Sequence, residues 1–188
     1  MTLPDSPAAR HGVVAGEFSR LVAGTADWSA PAPVDGWTAR DVVDHLVTWF
    51  PSFLAGGGIA LPGGPSCSDD PVVAWQHHAD AVQHLVEERG GEELTHPYAG
   101  THQLGDAVDR FYTADVFMHS WDLARATGQS PQLDEDFATG LLEGMRPIEQ
   151  LLRESGQYGP AVPVADDAPV VDRLMGFVGR DPAWRPRG

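Results

Sequence analysis

Lysine is absent from the 188 residues: all 12 basic side chains are arginines. Schiff-base chemistry, which needs a lysine amine, is thereby excluded. Cys67 is the one cysteine, so there is neither an internal disulfide framework nor a cysteine-rich zinc site. No apolar run approaches the roughly 18 residues of a membrane-spanning helix, and no membrane partner is expected. Basic residues are scarce beside 27 acids, for a net charge of −15. General nucleic-acid binding, which needs a cationic surface, is not expected either. The opening MTLPDSPAARHG has no basic stretch followed by an apolar one, so no signal peptide is expected and a cytoplasmic location is the plain expectation.

What is present is enough apolar residue for a core, 42% of the chain, in a length that suits one domain over residues 1–188. Helical periodicity dominates. A first helix is predicted from about Pro7 to Ala26, capped by Asp5 or Ser6, with Val13, Phe18, Leu21 and Val22 on one stripe. Thr38 and Asp41 form a capping-box pattern before a second helix whose core face holds Val42, Leu46, Trp49, Phe50 and Phe53. Pro51 should kink or end it. The stretch AGGGIALPGGPSCSDDP reads as a flexible loop of the kind that covers a site. A third helix follows from about Asp70 to Arg89, and residues 94–104 look irregular or briefly extended. A fourth spans Gly105 to Thr127 and stops at Gly128; a fifth spans Asp134 to Glu154, with Pro147 as a kink. A Pro-rich tail from residue 158, with a short helix at Val170 to Val178, is expected to pack on the bundle. The pattern is that of an all-α helical bundle.

The chemistry gathers on the fourth helix. In ADVFMHSWDLARATG, Asp115, His119 and Asp122 follow the spacing i, i+4, i+7 and share a face, with Phe111, Leu123 and Ala126 flanking them. A face so flanked should point inward, where a bare carboxylate is costly. Asp115 and His119, one turn apart, can reach a single ion. His45, at the edge of the apolar face of the second helix and beside Trp49, is the best candidate for a third ligand. Two histidines and a carboxylate leave a coordination position open. Spacing alone leaves another reading open: His119 as a hydrogen-bonded core histidine, with Asp115 capping or paired to an arginine. Asp122 would either receive the free ring N–H of a ligating histidine or pair with Arg125. His78 is expected to be solvated, His11, His96 and His102 have no partner spacing, and Cys67 reads as a plain thiol. Trp121 reads as packing near Phe117.

GWTARDVVDHL (residues 36–46), ADVFMHSWDLARATGQ (114–129) and YGPAVPVADDAPVVDRLMGFVGRDPAW (158–184) together resemble the DinB-like metal-binding superfamily. More closely, they resemble its actinobacterial branch, related to the N-terminal domain of mycothiol-dependent maleylpyruvate isomerase. That resemblance implies a DinB-like four-helix bundle with an irregular C-terminal extension. It also implies a divalent metal, zinc before nickel, held by His45, Asp115 and His119. Asp115 stands where the isomerase branch has Glu and many DinB-like proteins have His. The resemblance further implies mycothiol or a similar low-molecular-weight thiol as cosubstrate. The implied function is an S-transferase or isomerase acting on a small electrophile through a metal-bound thiolate. Trp49 and the loop over residues 54–70 would wall the pocket, and Asp122 would support a ligand from behind. The alternatives are a non-catalytic metal- or ligand-binding bundle, which could be a homodimer, and a specialised biosynthetic enzyme reusing the pocket.

Overall fold

Ser6 starts the first helix: its hydroxyl accepts from the Ala9 N–H at 3.3 Å, and Pro7 takes the first helical position, where no N–H is needed. Residues 2–186 are described by this computed structural model. Helix α1 (Pro7–Ala23) buries Val14, Phe18, Leu21 and Val22, and also His11. Helix α2 (Ala39–Gly56) opens with the capping box expected of Thr38 and Asp41. The Asp41 carboxylate accepts from the Thr38 N–H at 2.8 Å, and the Asp41 N–H donates to the Thr38 hydroxyl at 3.4 Å. Pro51 lies inside α2 and does not end it. Proline deletes one N–H, and the fully buried Phe50 and Leu54 on either side hold the turn in the core.

Helix α3 (Pro71–Arg89) is capped by Asp70, which accepts from the N–H groups of Val72 and Val73. Strands β1 (Glu93–His96) and β2 (Gly100–Gln103) form an antiparallel hairpin across residues that looked irregular or briefly extended in sequence. Gly100 supplies the positive φ of 82° at the turn, and Leu94, 1% exposed, anchors the hairpin.

The fourth helical pattern is one continuous run with a defect. It comprises α4 (Leu104–Ala107), a π-helical turn (Val108–Thr113) and α5 (Ala114–Thr127), ended by Gly128 at φ 68°. The wider π turn changes the phase between residues on either side of it. Phe111, expected to share a face with Asp115 and His119, instead packs on Phe53 and His102. Tyr112 takes the inner place, stacked on Phe50 with ring centroids 4.0 Å apart.

Helix α6 (Glu135–Met145) is capped by Asp134, and a 3-10 turn at Arg146–Ile148 separates it from α7 (Glu149–Glu154), so the expected kink at Pro147 is a break. Helix α8 (Val170–Phe177) follows the Pro-rich crossing. Helices α1 and α2 each pack against both α3 and α5, which makes the four-helix, all-α bundle expected from the DinB-like resemblance. Helix α6 packs on α8 and meets α5 through an edge-to-face contact of Phe137 with Phe117. Among the described residues, no helix is long and apolar enough to cross a membrane.

Candidate metal centre

Helices α2 and α5 face each other, and this brings His45 against Asp115, 70 residues later in the chain. His45 and Trp49 are one turn apart on α2, as Asp115 and His119 are on α5. His45 Nε2 lies 3.2 Å from Asp115 Oδ2, and the Trp49 indole N–H donates to the same oxygen at 2.9 Å. His119 Nε2 lies 3.5 Å from the other oxygen, Oδ1. One donor atom from each of His45, Asp115 and His119 lies within 4.8 Å of the others. Two imidazole nitrogens and a carboxylate so gathered fit a zinc-like divalent cation, in donor type and in leaving a position for a further ligand.

The carboxylate is anionic. Burial pushes the Asp115 carboxyl up, but the nearby His119 and the hydrogen bonds from His45 and Trp49 outweigh it and hold the group below the ordinary carboxylate range. Exposure falls across the cluster, from 32% for the His45 side chain to 18% for Asp115 and 5% for His119. The site is therefore reached from the His45 side. Trp37, on the segment leading into α2, stacks on His119 at 5.8 Å and 18° and lies 5.1 Å from His45. Its neighbours in sequence are unremarkable polar and turn residues, so periodicity had no means of placing it at the site.

Asp122 is fully buried one turn below His119, with Oδ2 2.9 Å from His119 Nδ1. That oxygen lies out of line with the ring nitrogen's lone-pair and N–H direction, so the contact is electrostatic and not an aligned hydrogen bond. Of the two partners expected for Asp122, Arg125 is not used: its guanidinium lies over the Trp121 ring, 4.9 Å from the centroid. The counter-charge is Arg180, just beyond α8, whose Nε and Nη2 donate to the two Asp122 oxygens at 3.3 and 3.1 Å. Burial raises the Asp122 carboxyl, and Arg180 with His119 more than reverses this. Arg180 lies in the C-terminal segment of residues 158–184, and its separation of 58 residues from Asp122 left no local signal of the pair. Tyr158, also in the C-terminal segment, feels both Asp115 and Arg180; burial, with the Asp115 charge, pushes its phenol up to about 12.

The remaining candidates scatter. The segment after α2 ties back to its first turn through Arg40, which donates to the carbonyls of Cys67 and Ser68. Among the described residues, its hydrogen bonds do not reach the triad. Cys67 is buried, and burial pushes its thiol up to about 12. His78 is not solvated: it is 7% exposed, packed against Trp75 and Tyr112. Helix α3 turns that side toward the core because Trp75, Ala79 and Val82 share it. His11 is fully buried as well, with Nδ1 3.0 Å from the Thr113 hydroxyl and its ring 5.6 Å from Tyr112. His96 and His102 serve the hairpin, bonding its turn at residues 98 and 99.

This all-α bundle, with two histidines and a carboxylate gathered from facing helices, fits the DinB-like class. Residues 13–57 match the mycothiol maleylpyruvate isomerase N-terminal domain, and the chain belongs to that family. The match includes His45 and Trp49 and ends before Asp115 and His119. The chain is also similar to two uncharacterized proteins of Mycobacterium tuberculosis, MT0763 of strain CDC 1551 / Oshkosh and Rv0738 of strain ATCC 25618 / H37Rv. Each is 33% identical over 158 residues, covering 80% of this chain and 83% of the relative. No solved structure matches.

Proposed function

We propose that this protein is a divalent-metal enzyme that brings a low-molecular-weight thiol of the mycothiol type to a small electrophile, as an S-transferase or isomerase. The observation that carries the reading is the convergence of His45, Asp115 and His119 from two helices onto one point open to solvent on the His45 side. Zinc suits the donor set best, and nickel is the next choice. A cation held there would supply Lewis acidity, favouring the deprotonated form of a thiol and drawing electrons from a carbonyl.

The chain's own residues set the terms for anything that binds. Asp115 supplies the negative charge, and Trp49 orients it through one oxygen. Trp37 and Trp49 flank the two imidazoles with apolar ring surface. The thiol need not come from the protein: Cys67, its one cysteine, is buried and held in the unreactive form.

One observation favours a second reading, a non-catalytic ligand-binding bundle. Asp115 is already satisfied by His45, His119 and Trp49, so its burial does not by itself require a cation. Metal analysis separates the two. The purified protein should carry close to one zinc or nickel ion, and a His45→Ala/His119→Ala variant should carry none. Equal metal content in the two proteins sinks the assignment. With metal bound, failure to consume thiol across a panel of electrophiles favours the non-catalytic reading.

A further inference from the structure

We propose that the C-terminal segment around α8 is a working part of the metal centre, in which Arg180 sets the His119 ring through Asp122, so that docking of this segment and metal affinity are coupled. The inference rests on the reading of His45, Asp115 and His119 as metal ligands.

A histidine that ligates through Nε2 keeps its ring proton on Nδ1, and whatever accepts that proton fixes the ring. The acceptor within reach is Asp122, whose Oδ2 lies 2.9 Å from His119 Nδ1. A carboxylate with no exposed surface cannot hold that position as an anion without a partner. Its partner is Arg180, which engages both oxygens as a fork. Arg180 is itself held: its N–H donates to the Met175 carbonyl at 2.8 Å, and its Nη1 donates to the Val178 carbonyl at 3.1 Å. A path of direct contacts therefore runs from the end of α8 to a proposed ligand on α5.

The path is not yet tight. The Asp122 oxygen is close to Nδ1 but out of line with it, and such contacts often align only when the site fills. Seating Nε2 on a cation would turn the N–H onto a carboxylate already anchored by Arg180. The alignment gained on binding is the coupling energy, and linkage makes it reciprocal: bound metal must then stabilise docking of the segment.

Arg180 is also separable from folding. Leu174 and Met175 of α8 are fully buried, and Gly176 is packed so closely on Val162 and Val164 that a Cβ there would come within 2.3 Å of the Val164 side chain. The Gly176 contacts hold the segment together, and the buried Leu174 and Met175, with the packing of α8 on α6, dock it without any charge. Arg153 adds a further tie, donating to the carbonyls of Gly159 and Phe177, but does not touch Asp122.

The test uses the full chain and Zn²⁺ alone, with affinity read by competition against a chromogenic chelator. An Asp122→Asn/Arg180→Met double variant removes both charges, so neither is left buried and unpaired, and it should fold. Its zinc affinity should fall by about 10- to 100-fold, the usual cost of losing a partner behind a metal ligand. Arg153→Ala should loosen residues 158–180 in hydrogen exchange but leaves the Arg180–Asp122 fork in place, so it should lower zinc affinity less than the double variant does. In the parent protein, zinc should slow exchange across the same residues. Unchanged zinc affinity in the double variant, or no effect of zinc on that exchange, overturns the coupling while leaving the metal site standing. Weakening by Arg153→Ala equal to that of the double variant overturns the role of Arg180. A parent protein that binds no zinc overturns the metal site and this inference together.

Discussion

Acidifying the solution from pH 7 to pH 5 should cost this protein stability through two histidines that are not at the metal centre. His11 and His78 are buried from α1 and α3 around Tyr112, and neither Nε2 has a hydrogen-bond partner among the described residues. Burial lowers each from 6.5 to about 4, with the His11 charge adding to the effect at His78. The folded state therefore keeps both rings neutral, whereas the unfolded chain takes up protons as the pH falls through 6.5. Stability is whole above 6.5 and drains away between 6.5 and about 4, where the folded state begins to accept the same protons. A depression of this size is worth about 3 kcal/mol per histidine over the full window, of which about 2 kcal/mol falls between pH 7 and 5. The pair should thus lose about 4 kcal/mol over those two pH steps, a large share of a typical domain's 5–15 kcal/mol. The lowered carboxyls of Asp115 and Asp122 act elsewhere: their stabilisation is complete above the ordinary 3.8 and is lost only below it. Urea unfolding at pH 7, 6 and 5 measures the loss, and a His11→Gln/His78→Leu variant should show a much flatter dependence. A parallel pH dependence in the two proteins, or ring resonances of His11 and His78 that titrate near 6.5, would refute the reasoning.

Thr38→Ala removes the capping box at the head of α2 and should cost about 1 kcal/mol, read as a lowered urea midpoint with unchanged slope. Cys67 should resist a thiol-directed disulfide reagent at pH 8 in the native state and react fully in denaturant, since it is buried and its thiol is held at about 12. Zinc should change the tryptophan emission, and a chelator should reverse the change, because Trp37 and Trp49 lie against His119 and His45. A Trp37→Phe/Trp49→Phe variant should lose most of that response, and an undiminished signal would remove these rings from the site.

Much of the fold was legible because local rules dominate it. Thr38, Asp70, Asp134 and Gly128 are cap residues whose chemistry works within a few positions of themselves, and they bound the helices where the pattern placed them. The π turn at Val108–Thr113 was not legible, since it keeps helical residues and changes only which carbonyl each N–H finds. It moved Phe111 out of the site and Tyr112 toward it. The burial of His11 and His78 was missed for a related reason: a histidine on an apolar stripe is polar in composition and core in position. Trp37 and Arg180 were missed because each reaches the site from outside the helices that carry the ligands.

The sequence by itself determined that the chain is an all-α bundle and that Asp115 and His119 stand together, because a helix converts a spacing of four into one face. Tertiary structure alone decided the rest. It brought His45 within reach of Asp115, since only the packing of α2 on α5 sets that distance. It also chose the partner of Asp122. Arg125 is three residues away along the helix but lies over Trp121, whereas the carboxylate is buried and could be satisfied only by a cation arriving from another segment, Arg180. Local spacing can propose an ion pair, but burial decides which one must form.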